Sequence, residues 1–280
     1  MGKMNITDLK GTATLSNGVE MPYLGLGVFQ IGDGEEVYNA ATTALEAGYR
    51  HIDTASLYGN EIGVGEAVRK SDISRQEIFV TSKVWNSDQG YENTLSAFEI
   101  TMNKLQLDYL DLYLVHWPVK GKFKDTWKAL EKLYREERVK AIGVSNFLKH
   151  HIEDLKTSLE IMPMVNQVEF HPYLVQQDLI DYCKENHIQY EAWSPLMQGH
   201  ILKDETLLQL ASKYSKSAAQ IILRWDLQKG VITIPKSSKK ERIISNADIF
   251  DFELTTDDMA AIDALDKNYR SGADPDNFNF

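Results

Sequence analysis

Residues 49–83 read YRHIDTASLYGNEIGVGEAVRKSDISRQEIFVTSK. The runs at 49–53 and 77–83 are short, apolar and rich in β-branched or aromatic residues, which is typical of buried strands. The stretch between them, at 60–70, has the pattern of an amphipathic helix. A strand, a helix and a second strand in this order predict two parallel strands joined by a right-handed crossover.

The same alternation continues along the chain. Six further strands are predicted, at 24–29, 110–116, 139–145, 162–167, 188–194 and 231–235. The other helical stretches lie at 35–47, 91–106, 124–137, 149–158, 176–186, 204–228 and 239–247, and we expect the stretch at 204–228 to be split. Eight such units without a linker predict a single α/β domain spanning residues 1–280, folded as a closed (β/α)8 TIM barrel.

Two features refine this prediction. An open doubly wound sheet is the alternative, but it would carry a glycine-rich turn and a helix directly after its first strand. Gly25-Leu26-Gly27 has no third glycine and no helix directly after it, so a pair of strand-end glycines is the better interpretation. Before this strand, the runs at 13–15 and 19–21 flank Asn17-Gly18, a strong hairpin signal that predicts a β-hairpin closing the barrel floor.

Composition limits the function classes. The chain has 30 Lys and Arg against 41 Asp and Glu, a formal charge of −11, which disfavours a nucleic-acid or anionic-membrane surface. No apolar run approaches the ~20 residues that span a bilayer, and no signal peptide is evident. The one cysteine, Cys183, is expected to be buried and fits a reducing compartment. We therefore expect a cytoplasmic protein that binds neither nucleic acid nor membrane.

Four polar residues lie at or just past the ends of predicted strands: Asp53, Tyr58, Lys83 and His116. A (β/α)8 barrel builds its catalytic pocket from such positions at its C-terminal face. Each residue alone has an ordinary explanation: a cap for Asp53, a loop aromatic for Tyr58, a snorkelling cation for Lys83 and a core imidazole for His116. Their occurrence together favours a shared site.

The chemistry of these four side chains points to proton donation. A free tyrosine has a pKa near ~10, and a nearby ammonium lowers it. Lys83 can supply the ammonium, and Asp53 the counter-charge that a buried ammonium requires. His116 can hydrogen-bond and orient a carbonyl oxygen. We expect a tuned phenol, Tyr58, beside a carbonyl-binding site.

At these residues the chain resembles the aldo-keto reductase superfamily, with greatest similarity to bacterial glyoxal/methylglyoxal reductases of the diketogluconate-reductase-like type. The matching strings, in family order, are GYRHIDTASLYGNE, TSKVW, LDYLDLYLVHWP, AIGVSNF, NQVEFHP, WSPL and ITIPKS, followed by Arg242 and Asn246. The resemblance implies an NADPH-dependent carbonyl reductase with no metal. It assigns Tyr58 as general acid, Lys83 and Asp53 as its tuning pair, and His116 as the carbonyl orienter.

The resemblance also implies a cofactor site. The residues that would contact the nicotinamide carboxamide are Ser145, Asn146 and Gln167. The aromatic side chain that would stack on the nicotinamide ring is Trp193. For Trp193, a core position in the barrel wall is the alternative. The remaining contacts are Ser194, Leu196 and Ser237 for the phosphates, Lys236 and Arg242 for the 2′-phosphate, and Asn246 for the adenine. For the neighbouring Lys239 and Lys240, a solvated helix start is the better interpretation.

Phe29, Trp85 and Trp117 match substrate-side positions, an apolar rim around one polar oxygen site. The segment after Trp117 and the tail after Asp266 are short compared with those of animal relatives, which suggests an open mouth suited to small or varied aldehydes. The partner implied is a small carbonyl substrate, and since many family members are monomers, a monomer is implied too.

Two other functions remain as alternatives. Some similar barrels serve as cofactor-sensing subunits with slow or no turnover. A hydrolase or sugar-phosphate isomerase on the same barrel needs a carboxylate pair, or a strand-end Glu with a phosphate cup. Asp53 has no evident carboxylate partner at another strand end except Glu169.

Overall fold

The computed structural model describes residues 6–280. It begins with an antiparallel hairpin, β1 (Thr12–Thr14) and β2 (Glu20–Pro22). Eight parallel strands follow, each paired with its neighbour in chain order. They are β3 (Leu26–Gly27), β4 (His51–Asp53), β5 (Phe79–Val84), β6 (Leu110–Val115), β7 (Val139–Ser145), β8 (Val165–Glu169), β9 (Gln189–Trp193) and β10 (Ile232–Thr233).

Hydrogen bonds join the last strand to the first. The Gly25 amide donates to the Thr233 carbonyl at 3.0 Å, and the Thr233 amide donates to the Tyr23 carbonyl at 3.0 Å. Close packing accounts for one of the two strand-end glycines, Gly27, because a Cβ there would lie 2.8 Å from the Ile234 carbonyl oxygen. The prediction of a closed (β/α)8 barrel is confirmed, and the open sheet is not formed.

Helices cover the outside of the barrel. They are α1 (Glu35–Glu46), α2 (Glu61–Lys70), α3 (Tyr91–Leu105), α4 (Phe123–Arg135), α5 (Lys149–Lys156), α6 (Gln177–Glu185), α7 (Glu205–Tyr214), α8 (Ala218–Gln228), α9 (Lys240–Ala247) and α10 (Thr256–Asp263). The predicted split falls between α7 and α8. Among residues 6–280, every helix is too short or too polar to cross a lipid bilayer.

One helix, α10, was not expected. It buries little apolar surface, with Ile262 its one fully buried apolar side chain, so its periodicity is weak. Its start is nevertheless encoded locally, because Thr255 and Asp258 form a capping box in which each side chain bonds the other residue's backbone amide. That capping pair is the signal by which the sequence could have revealed the helix.

The hairpin lies at the barrel floor, as predicted. Asn17 at its turn donates to the Lys140 carbonyl at 2.9 Å, at the start of β7. Leu15 and Met21 are buried beneath the strands. The floor is therefore sealed on the side opposite to the strand ends that carry Asp53 and Lys83, and Cys183 is buried in the helical layer as expected.

Gly65 marks a close approach between helices that should be sensitive to added volume. A Cβ at Gly65 would lie 2.1 Å from the backbone oxygen of Leu105 at the end of α3. We expect Gly65→Ala to lower the free energy of unfolding by about 1–3 kcal/mol, since the clash is with backbone and requires α2 and α3 to move apart.

Chemical denaturation measures this effect, with Gly32→Ala as the matched control. A Cβ at Gly32 would have as its nearest obstacle the movable carboxylate of Glu36, at 3.2 Å. Equal unfolding midpoints for the two variants would contradict the close approach.

Candidate active site

The structure brings the four strand-end residues together at the C-terminal mouth of the barrel. Lys83 Nζ donates to Asp53 Oδ1 at 2.6 Å and lies 3.4 Å from the phenol oxygen of Tyr58. The rings of Tyr58 and His116 meet edge to face, with centroids 5.8 Å apart. Asp53 ends β4, Lys83 lies near the end of β5, and His116 follows β6 directly. One ammonium thus faces a carboxylate on one side and a phenol on the other.

A buried asparagine that the sequence analysis passed over holds the Tyr58 loop in place. Asn60 Oδ1 accepts from the Thr54 hydroxyl at 2.7 Å, and its Nδ2 donates to the carbonyls of Val28 and Ile31 at 2.9 and 3.0 Å. Tyr58 therefore lies in a short 3₁₀ turn tied to two other loops. A polar residue following Tyr58-Gly59, where a tight turn meets a helix start, was the available signal.

Lys83 is fully buried, so its charge must be compensated within the protein. Burial by itself lowers the pKa of Lys83, but the attraction of Asp53 and Tyr58 outweighs it and leaves the pKa above its ordinary value. Burial also raises the pKa of Asp53, against the opposing effects of Lys83 and the Gln167 amide. Because Asp53 directly contacts the ammonium, we assign the negative charge of this site to Asp53.

The electrostatics of Tyr58 differ from the sequence-based expectation. Its ring is partly exposed, yet its phenol oxygen is surrounded by protein. Burial raises the pKa of Tyr58 above its ordinary value, and the ammonium of Lys83 offsets only part of that rise. The expectation of a lowered pKa was therefore wrong for the protein by itself. At neutral pH Tyr58 is a protonated phenol, and Lys83 reduces the cost of removing its proton.

The residues that the resemblance assigns to the nicotinamide form one connected group. Ser145 donates to the Gln167 carbonyl at 2.8 Å, and Asn146 Nδ2 donates to the His116 carbonyl at 3.0 Å. The indole nitrogen of Trp193 donates to Asn146 Oδ1 at 2.8 Å, which fixes the plane of the half-buried ring. Asn146 thus lies beside His116, and hydrogen bonds connect Asn146 to Ser145 and Trp193.

Inside the barrel, the carboxylate nearest to Asp53 is Glu191, not Glu169. The Nε2 of Gln167 donates to Asp53 Oδ2 at 2.8 Å and to Glu191 Oε2 at 2.9 Å. The sequence analysis missed Glu191, although strand alternation could have indicated it. Trp193 and Glu191 are two residues apart on β9 and therefore face the same side.

Oxygen and nitrogen donors converge at this point, since His51, Asp53 and Glu191 lie close enough to surround an ion. Here the ammonium of Lys83, at 2.6 Å from Asp53, provides the positive charge that a metal would bring.

On the surface, His150 and His151 both approach Asp276, at 2.7 and 3.3 Å. His151 Nδ1 accepts from the Leu148 amide, so its other nitrogen carries the proton and donates to the carboxylate.

The predicted phosphate-side residues gather after β9 and β10. Ser194 lies in the left-handed region, with a φ of 53°, and begins a tight loop that includes Leu196. Ser237 and Asn246 are buried, while a cluster of cations beside them is exposed. This cluster consists of Lys236, Lys239, Lys240 and Arg242, and none of the four forms an ion pair within residues 6–280. Unpaired cations in an acidic protein suit an anionic ligand.

Aromatic side chains line the mouth of the barrel above the four strand-end residues. Phe29 packs on Tyr58 with centroids 5.0 Å apart, and Trp85 meets His116 at 5.1 Å. The tail of the chain also reaches this pocket, because Phe280 stacks on Trp85 at 5.7 Å and meets Trp117 at 5.2 Å. The expectation of an open mouth was wrong on this side, since the sequence carries no local sign that the tail returns over the barrel.

Comparison with known proteins agrees with this architecture. The model of the aldo/keto reductase family matches residues 23–267. The chain belongs to the aldo-keto reductases. It is 61% identical to glyoxal reductase of Bacillus subtilis (strain 168) over 98% of this chain and 99% of that protein, and 44% identical to methylglyoxal reductase DkgA of Escherichia coli (strain K12) over 94% and 96%. A crystal structure of a Gox0644 variant in complex with NADPH superposes with a TM-score of 0.92 at 42% identity, over 96% of this chain and 98% of that one.

In this aldo-keto reductase a buried carboxylate ties the start of the tail, at Ser271 and Gly272, to the barrel. Glu169, at the end of β8, accepts from the amide of Ser271 at 2.6 Å, from the Gly272 amide at 3.2 Å and from His171 at 3.0 Å. Burial alone would raise the pKa of Glu169, but the bonds from His171 and Ser271 lower it below its ordinary value. A Cβ at Gly272 would lie 2.4 Å from the Trp193 ring, so the tail backbone passes directly over that ring.

His116 of this aldo-keto reductase is expected to stay neutral over the whole range from about pH 5 to 8. Burial, reinforced by the positive charge of Lys83, holds the pKa of His116 well below its usual range. The imidazole resonances of His116 should not shift across this range in NMR spectra, whereas those of free histidine in the same buffer should titrate near ~6.5. A transition of His116 itself within the range would contradict the assignment.

Proposed function

We propose that this aldo-keto reductase reduces aldehydes and α-oxo-aldehydes of the glyoxal and methylglyoxal type to alcohols, with NADPH as the hydride donor. One observation carries the proposal: Lys83 bridges Asp53 and the phenol oxygen of Tyr58 directly below an aromatic pocket. The names of two similar proteins, a glyoxal reductase and a methylglyoxal reductase, support the substrate class.

The proposed mechanism assigns one task to each residue. His116, as a neutral imidazole, donates a hydrogen bond to the substrate carbonyl oxygen and holds it near the Tyr58 hydroxyl. When bound, the reduced nicotinamide supplies the hydride that forms the new C–H bond. The Tyr58 hydroxyl gives its proton to the carbonyl oxygen, and Lys83 stabilises the phenolate left behind. Asp53 keeps Lys83 charged, and a proton from solvent restores Tyr58.

The residues present fit NADPH at both ends. Gln167 donates both of its amide hydrogens, one to Asp53 and one to Glu191. Its Oε1 accepts no hydrogen bond within residues 6–280 and is free to accept one from a carboxamide. Ser145, Asn146 and Trp193 would hold the remainder of the nicotinamide, and Ser194, Leu196 and Ser237 the phosphates. Lys236 and Arg242 would bind the 2′-phosphate, and Asn246 the adenine.

The pocket favours small substrates. Phe29, Trp85 and Trp117 offer an apolar rim, and the returning tail adds two phenylalanine rings to it. We further propose that the enzyme acts as a cytoplasmic monomer and that its chemistry requires no metal, because Lys83 and His116 provide the polarisation.

The hydrolase alternative loses support from the same geometry. Asp53 and Glu191 do form a carboxylate pair, but both are buried and both are bonded to the Gln167 amide. Hydrolysis by two carboxylates needs room for substrate and water between them.

The Tyr58→Phe variant tests the general acid. We expect kcat for methylglyoxal reduction to fall by about 10²–10⁴-fold, since the proton donor is lost while the ring remains. NADPH binding, followed by cofactor fluorescence, should be retained, which separates a loss of catalysis from a loss of cofactor binding. Steady NADPH consumption by the wild type with methylglyoxal would exclude the sensor alternative, whereas binding without turnover would favour it. Tyr91→Phe, at an exposed tyrosine of α3, is the control. Full activity in Tyr58→Phe would remove this residue from the acid role.

Arg242→Ala tests the choice of NADPH over NADH. Removal of a guanidinium from a phosphate is expected to raise KM for NADPH about tenfold or more, because hydrogen bonds to charged groups contribute about 1.5–3 kcal/mol. KM for NADH should change little. Lys184→Ala, an exposed cation on α6, serves as the control for net charge. Equal changes for both cofactors would contradict a 2′-phosphate contact.

A further inference from the structure

Glu191 is a fully buried carboxyl group to which the proposed mechanism gives no task. Its Oε2 accepts from Gln167 Nε2 at 2.9 Å. Its Oε1 has no hydrogen-bond partner within residues 6–280, and the nearest polar atom of His51, Nε2, lies 3.8 Å away. A buried ionised carboxylate with an unbonded oxygen is costly, so the group needs either a partner or a proton.

The charges around Glu191 favour the proton. Asp53 and Lys83 face it from β4 and β5 and already neutralise each other at 2.6 Å. His51, also on β4, brings no positive charge, because burial, followed by the repulsion of Lys83, lowers its pKa to about 3. Burial, together with the negative charge of Asp53, raises the pKa of Glu191 to about 8. With Glu191 ionised, the barrel interior would hold two anions and one cation.

The position of Glu191 determines how the Gln167 amide is oriented. The NH2 group of Gln167 has two hydrogens, and one points to Asp53 while the other points to Glu191. Two acceptors on one side force the nitrogen inward and leave Oε1 to face the site. Without Glu191, one hydrogen has no acceptor, and the amide can rotate or exchange its nitrogen and oxygen.

We propose that Glu191 is a positioning residue that, as a neutral carboxylic acid, fixes the Gln167 amide so that its oxygen receives the nicotinamide carboxamide. The proposal rests on the proposed function, because it assumes a nicotinamide beside Gln167. It adds to that function the control of which ring face is turned to the substrate.

The protonation of Glu191 is tested on the protein without cofactor. Infrared difference spectra of wild type against Glu191→Gln should show a protonated carboxyl band at pH 7 that disappears as pH rises through about 8. The difference removes the contribution of Asp226, a second buried acid whose pKa burial raises well above its ordinary value. Absence of the band at and below pH 7 would overturn the neutral acid.

Linkage gives the sign of the accompanying stability change. The pKa of Glu191 is higher in the folded state than in the unfolded chain, so the Glu191 proton stabilises the folded state at low pH. This contribution to the free energy of unfolding is lost as pH rises from about 4.5 through about 8. Glu191→Gln should lose this part of the pH dependence, since its amide does not titrate.

The positioning role is tested with NADPH. Glu191→Leu should weaken NADPH binding by about tenfold, which is the scale of one lost hydrogen bond, and should transfer hydride from both faces of cofactor labelled with deuterium at either C4 position. Glu191→Gln keeps an acceptor for Gln167 and should restore binding to within about threefold, with transfer from one face. Gln189→Leu, a buried polar side chain on the same strand bonded to the Gly230 carbonyl, controls for disruption of β9.

These measurements separate the two proposals. If wild type binds NADPH while Glu191→Leu binds it equally well and transfers from one face, the positioning role is overturned and the proposed function stands. If wild type neither binds NADPH nor reduces aldehydes, both are overturned. Mixed-face transfer that Glu191→Gln corrects and Gln189→Leu does not cause supports the positioning role.

Discussion

The buried ion pair between Lys83 and Asp53 is the interaction on which this site depends. An ammonium without water is unfavourable by several kcal/mol unless the protein replaces its hydration. Here Asp53 supplies the charge, and the Thr54 carbonyl, at 2.9 Å, accepts a second hydrogen bond. The ring of Tyr58, with its centroid 5.0 Å away, faces the same cation. Because one cation contacts all three partners, its position fixes theirs. Burial, reinforced by the same charge, also holds the pKa of His116 well below its usual range, so the ammonium influences both the phenol and the imidazole.

The other polar groups of the barrel interior follow from this pair. Asp53 uses one oxygen for Lys83 and the other for Gln167, so a single carboxylate connects the ion pair to the Gln167 amide. Lys83 balances only one carboxylate, Asp53, so the burial of the second carboxyl, Glu191, favours its neutral form. A hydrophobic barrel would be easier to build, but it could not hold a charged lysine beneath a phenol. The polar interior is therefore required to keep a charged lysine at this position.

The sequence predicted the barrel well because each strand–helix unit carries its own periodic signal, and β7 was located to the residue. The weak case was α10, whose apolar face is small and whose capping pair carries the information instead. The ends of parallel strands meet by construction, so Asp53, Tyr58, Lys83 and His116 could be grouped before any coordinates existed. Two kinds of feature could not be predicted from the sequence. Glu191 lies within a strand rather than at its end, and Asn60 acts through backbone carbonyls that no motif names. The direction in which the pKa of Tyr58 shifts could not be predicted either, because it depends on the burial of Tyr58 in the folded protein.

The tail was the other feature that local patterns could not reveal, since its anchor joins residues about a hundred positions apart. Glu169 holds Ser271 and Gly272, and Phe280 then meets the two tryptophans of the rim. Glu169 is only two residues from Gln167 on β8, yet it binds the tail, whereas the Gln167 side chain binds Asp53 and Glu191 inside the barrel. A change of sequence beyond Gly272 can therefore reshape the mouth of the pocket while the ion pair between Lys83 and Asp53 stays as it is. An engineer could graft new tails at Ser271 on the same grounds.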